Sequence, residues 1–70
     1  MPTETFQDRV RDEKMELDLK LRRLGQFIEQ NPFFQDLDEI DQRLLRNQRM
    51  RMLDYSVILG QRIARFSKEN

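Results

Sequence analysis

Residues 40–66 read IDQRLLRNQRMRMLDYSVILGQRIARF, and this stretch decides the fold. Ile40, Leu44, Leu45, Met52, Tyr55, Ile58, Leu59, Ile63 and Phe66 recur at helical spacing and form a broad apolar stripe. Met50, Leu53, Val57, Gly60 and Ala64 form a second stripe on the opposite flank. At about 100° per residue the two stripes cover more than half of the helix circumference. One partner helix can bury only one of them. The pattern predicts an all-α, antiparallel two-helix hairpin that assembles with copies of itself into a homo-oligomeric helical bundle, with the second helix central.

Size supports the same expectation. Seventy residues make one domain, and a core this small yields only a few kcal/mol of net stability without a staple. The chain has no Cys and no His, so neither a disulfide nor an ordinary zinc site can serve. No loop has the carboxylate spacing of a Ca²⁺ or Mg²⁺ site. No cofactor or metal is expected, and self-association is the remaining staple. The formal net charge is zero, so there is no bulk attraction to nucleic acid or to an anionic membrane. The charge is uneven, however. Residues 40–66 carry Arg43, Arg46, Arg49, Arg51, Arg62 and Arg65 against Asp41 and Asp54, a net of +4. Residues 4–30 carry −1, and Asp36, Asp38 and Glu39 add −3 beside the connector. No apolar run is long enough to span a bilayer, and the first residues do not read as a signal peptide. The simplest expectation is a soluble intracellular protein.

The first helix is predicted over about residues 4–30, capped by Thr3 or Thr5, with Phe6, Val10, Leu17, Leu21, Leu24 and Ile28 as its apolar face. Gly25 marks a close contact or a slight bend. Asn31-Pro32 ends the helix, because the residue before proline avoids the α region. Residues 31–38 form a short connector in which Phe34 and Leu37 plug the end of the helix pair. Asp38 caps the second helix, which runs over about residues 39–67. Met15 and Leu19 lie on the back of the first helix, and with Met50, Leu53, Val57, Gly60 and Ala64 they make the expected oligomer interface. Gly60 and Ala64 form a small-x-x-x-small step that admits another helix. Glu16–Lys20 and Asp18–Arg22 read as i,i+4 ion pairs.

Polar residues interrupt the apolar stripes. Arg9, Glu13 and Lys20 line one edge of the first helix; Gln48, Tyr55 and Arg62 form a heptad on the second. Antiparallel pairing brings both sets to the seam, with Arg9, Glu13, Tyr55 and Arg62 near its open end. Two readings stand. In one, the residues are a ladder that fixes register, with Glu13 bridging Arg9 and Arg62 and the Tyr55 hydroxyl on a neighbour. In the other, they are an anion pocket at a subunit interface, where Arg and Lys hold phosphate and Tyr55 stacks on a base. The arginines of residues 43–51 spread around the helix and do not make the clustered basic patch of a DNA-reading face. The carboxylates of the first helix lie on a polar face with no pocket to shift their pKa values. With no His, Cys or serine elbow besides, no catalytic residue is assigned and no enzyme is expected.

The ordered set Arg9-Val10, Glu13-Lys14, Glu16-Leu17, Lys20, Leu24, Phe27-Ile28, Phe34, Leu37, Leu44-Leu45, Gln48, Met52, Tyr55-Ser56, Leu59 and Arg62-Ile63 resembles a family of small proteins encoded by tailed bacteriophages, including crAss-like phages. The resemblance spans roughly residues 6–66. In general shape these proteins are similar to the phage helical-hairpin sponges that oppose CBASS and Thoeris immunity by holding cyclic nucleotide signals in pockets between subunits. The resemblance implies a non-enzymatic counter-defence protein in the cytoplasm of the infected bacterium, with a small nucleotide as ligand. Arg9, Glu13, Lys20, Gln48, Tyr55 and Arg62 would be its ligand-binding residues. Two alternatives remain open: a helical inhibitor or structural oligomer that grips a host protein, and a small nucleic-acid-binding regulator that uses the arginines of the second helix.

Overall fold

The computed structural model describes the backbone of residues 5–69 and the side chains through Ser67. Every element among them is helical: α1 (Phe6–Gln30), the single turn α2 (Phe33–Asp36) and α3 (Glu39–Glu69). No helix of the described residues is long and apolar enough to cross a membrane.

Local chemistry sets each boundary. Thr5 caps α1 in a reciprocal box: the Asp8 amide donates to Thr5 Oγ1 (3.0 Å), and the Thr5 amide donates to the Asp8 carboxylate (3.3 Å). The helix therefore begins two residues later than the sequence suggests; Thr3 and Glu4 lie outside the described residues. At the other end Asn31 takes an extended conformation (φ −92°, ψ 121°) ahead of Pro32. The connector is not a plain loop. The Asn31 side chain accepts from the Phe33 amide (2.9 Å) and starts the extra turn α2. Asp38 Oδ1 accepts from the Ile40 amide (2.8 Å) and caps α3. The Gln42 amide group donates to the Leu37 carbonyl (2.9 Å), which ties the connector to the start of α3.

The two long helices pack side by side in opposite chain directions: Phe6 meets Phe66, Glu13 meets Tyr55, and Glu29 meets Arg49. Val10, Leu59 and Phe66 form the buried cluster, with Leu17 and Ile63 packed on it. At the connector end Phe34 is fully buried. Its ring meets Phe27 edge-on (5.9 Å between centroids), and the Arg46 guanidinium lies 5.0 Å from its centre. This is the plug expected of Phe34, with Leu37 half-buried beside it.

The core is narrower than the apolar pattern predicts. Ile40, Leu44 and Ile58 belong to the stripe assigned to the interior, yet each is more than half exposed, as is Phe6 on α1. The stripe is wider than the strip of α3 that one helix can cover, so its edge remains outside. On the opposite flank Met15, Met50 and Val57 are also more than half exposed, with Leu19 and Leu53 little less so. Helix α3 thus shows an uncovered apolar edge on each side of its contact with α1.

Candidate functional site

Two seams run between α1 and α3, and polar groups bridge both. On the first, the Tyr55 hydroxyl donates to the Glu13 carboxylate. That bond to an anion pushes the phenol's pKa up, as do burial and the Glu13 charge, while Arg62 nearby opposes the shift. The Arg62 guanidinium lies 5.6 Å from the centre of the Phe6 ring. A phenol, a carboxylate and a cation thus converge where the ladder was expected, and Phe6 joins them.

The remaining ladder residues are not drawn in. The exposed side chains of Arg9 and Lys20 make no ion pair or side-chain hydrogen bond among the described residues. Gln48 only approaches the Met52 sulfur on its own helix, at 3.8 Å. Glu13 does not bridge Arg9 and Arg62: no ion pair joins it to either within 4.0 Å, because its carboxylate is turned to Tyr55.

The second seam carries a cluster that the pattern of residues did not single out. Lys14 Nζ donates to Asp18 Oδ2 (2.7 Å) and to Ser56 Oγ (3.1 Å), and Ser56 donates to the other Asp18 oxygen. Ser56 is buried, and no buried side-chain polar atom among the described residues lacks a partner. The available signal was a serine at core spacing, three before Leu59 and seven before Ile63. Asp18 therefore pairs with Lys14 rather than Arg22, and the expected Glu16–Lys20 pair does not form within 4.0 Å. Gly60 belongs to this seam too. A Cβ there would lie 3.3 Å from Lys14 Cε, so Gly60 makes room for the lysine stem of its own chain. Farther along, Arg49 pairs with Glu29 (2.7 Å) and lies so close to α1 that a Cβ on Gly25 would sit 2.9 Å from its guanidinium. This is the close contact that Gly25 marks.

The arginine run is largely used inside the chain. Arg46 covers Phe34, Arg49 holds Glu29, and Arg51 pairs with Asp54 (3.3 Å). One cation–π contact and two ion pairs, rather than a common basic face, account for these three.

The second seam has a pH consequence. The Lys14 hydrogen bond, then that of Ser56, hold the Asp18 carboxyl below its ordinary value against the opposing effect of burial. At the α1 cap, the Thr5 backbone and side-chain hydrogen bonds do the same for Asp8. A carboxylate whose pKa is lower folded than unfolded stabilises the fold above the unfolded value, near pH 4, and that contribution disappears as pH falls through the folded value. The Asp18 side chain is 42% exposed, so solvent screening keeps its share small. The thermal midpoint should stay level from about pH 7 to 5 and fall below about pH 4, with a smaller fall in Asp18→Asn. A wild-type midpoint unchanged down to about pH 3 would contradict this assignment.

These features define a small all-helical protein with two long helices joined through polar clusters on both seams. No group of His, Cys, Asp and Glu suited to a metal ion occurs among the described residues. The chain matches the Sequestin family over residues 4–65 and belongs to that family. No curated protein and no solved structure matches it.

Proposed function

We propose that this protein is a molecular sponge: it binds a cyclic oligonucleotide or a related nucleotide immune signal and holds it without turnover. In this reading it is a bacteriophage counter-defence protein. It acts in the cytoplasm of the infected bacterium and starves a CBASS- or Thoeris-type effector of its signal. The observation that carries the reading is membership of a family whose name denotes sequestration. The first seam supports it chemically. A nucleotide presents a flat base and one or more phosphates, and this seam of α3 carries an aromatic ring at Tyr55 and, two turns on, a guanidinium at Arg62. Tyr55 stacks on the base, Arg62 takes phosphate, and Arg9 and Lys20 add cations from α1. Gln48 and Glu13 orient the ligand. The helix pair acts as a hairpin within a homo-oligomer, and neighbouring copies close what is an open surface on one chain.

A second reading has its own support. The exposed Met15, Leu19, Met50, Leu53 and Val57 suit a grip on a host protein, with the polar seams only setting register. Calorimetric titration with a panel of cyclic di- and trinucleotides and ADP-ribose derivatives separates the two. The sponge reading expects one panel member to bind tightly and to be recovered unchanged. If none binds and a host protein co-purifies instead, the second reading replaces the first.

A further inference from the structure

We propose that the cleft between the last two turns of α1 and the turn α2 is a ligand site of its own, fitted to a single nucleoside monophosphate. It stands apart from the sponge reading above and uses neither Tyr55 nor Arg62. Tyr55 meets Glu13, and Arg23 lies ten residues farther along α1, about 15 Å at 1.5 Å per residue.

The stop signal of α1 builds the cleft. Asn31 is extended ahead of Pro32, and its side chain accepts from the Phe33 amide (2.9 Å). The Phe34 amide donates to the Asn31 carbonyl (3.1 Å) and the Leu37 amide to the Phe34 carbonyl (3.2 Å), which fixes the turn. Two adjacent phenylalanines thereby meet opposite fates. Phe34 is fully buried against Phe27, whereas Phe33 is 68% exposed and lines the cleft. A lone exposed phenylalanine needs no explanation. This one shares a space of about 460 Å³, within the range of small-molecule sites, with Arg23, Gln26 and Gln30. None of those three side chains makes a hydrogen bond or ion pair among the described residues. Uncommitted polar groups are ordinary on a surface; here they surround an exposed ring held on a fixed turn.

Each part of a nucleotide has its counterpart. The Phe33 ring offers a stacking face to a base. The carboxamides of Gln26 and Gln30 each present a donor beside an acceptor, the pair that matches the edge of a base such as adenine. Arg23 supplies the cation for phosphate, and no carboxylate is among the residues lining the cleft to compete for it. The helix itself orients the ligand. The last carbonyls of α1 make the connector end of the cleft its negative end. Phosphate therefore lies toward Arg23, two turns back, and the amino group of the base lies toward the carbonyls beside Phe33. One cation serves one phosphate, whereas a nucleic-acid strand needs a track of them, so the occupant is a free mononucleotide.

Adenosine 5′-monophosphate is the probe, titrated into the protein and followed by ¹H–¹⁵N NMR, in which the side-chain amides of Gln26 and Gln30 report on the cleft. Both should shift saturably, together with the Phe33 backbone amide. Adenosine and inorganic phosphate should each bind at least about tenfold more weakly. Arg23→Gln should weaken binding of the nucleotide about tenfold or more and leave that of adenosine unchanged. Phe33→Ala should weaken both about tenfold, and Phe33→Tyr should retain them. Arg23 and Phe33 are exposed, so the fold should tolerate all three changes. Tyr55→Ala and Arg62→Ala should leave the shifts in place. Silence at Gln26 and Gln30 at millimolar nucleotide, or shifts unaltered in Arg23→Gln and Phe33→Ala, overturns the site. Inorganic phosphate that binds as tightly as the nucleotide overturns the ligand class. Nucleotide binding that vanishes in Tyr55→Ala but survives in both cleft variants overturns this site and leaves the sponge reading standing. Failure of every cyclic panel member, with the mononucleotide still held in the cleft, does the reverse.

Discussion

Leu59→Ala unfolds the isolated chain. Leu59 has no exposed surface and sits at the centre of the small cluster of Val10, Phe66, Leu17 and Ile63. Truncating a fully buried leucine costs about 2–5 kcal/mol, part from lost burial and part from the cavity left behind. A 70-residue chain without a staple has only a few kcal/mol to lose. The neighbouring substitution Ile58→Ala removes a side chain that already faces outward, so its cost within one chain should be below about 1 kcal/mol. Urea denaturation followed by circular dichroism at low protein concentration measures both. The large gap between adjacent positions is the point of the comparison. A Leu59→Ala variant within about 1 kcal/mol of wild type would mean that the interior is not where the structure places it.

Under the proposed sponge function, Tyr55→Ala and Arg62→Ala should remove nucleotide binding and leave helix content intact. Stacking on an aromatic side chain contributes about 1–3 kcal/mol per base, and a hydrogen bond to a charged group about 1.5–3 kcal/mol. Each substitution should therefore weaken binding by roughly ten- to a hundredfold or more, and the pair should abolish it. Tyr55→Phe keeps the ring and loses only the bond to Glu13, so it should retain most of the affinity. Titration of these four variants and the wild type with the best panel nucleotide gives the result. Full affinity in Tyr55→Ala would make Tyr55 and Glu13 a register device alone.

The fold was legible where a single local cause sufficed. Asn31-Pro32 stops α1, Asp38 starts α3, and Phe34 fills the end because a loop has no other reason to carry it. Helical spacing also identified the uncovered flank of Met50, Leu53 and Val57. It failed at Ile40, Leu44 and Ile58, because periodicity shows which side of a helix is apolar but not how wide a strip its partner covers. In the site, antiparallel pairing brought Glu13, Tyr55 and Arg62 to one seam. It did not reveal which acid each base would choose. Lys14 reached Asp18 and Ser56 because Gly60 leaves space for its stem, a contact set by the distance between helices and invisible in spacing. Arg49 is the same case at Gly25.

One measurement tests the central claim, that α3 offers more apolar surface than its own chain covers and is completed by other copies. Sedimentation equilibrium over a wide range of protein concentration, run beside thermal denaturation of the same samples, should show an assembly of several chains. Its melting temperature should rise with concentration, since association stabilises the folded form by mass action. A single sedimenting chain at micromolar concentration, with a high melting temperature that does not depend on concentration, would contradict it.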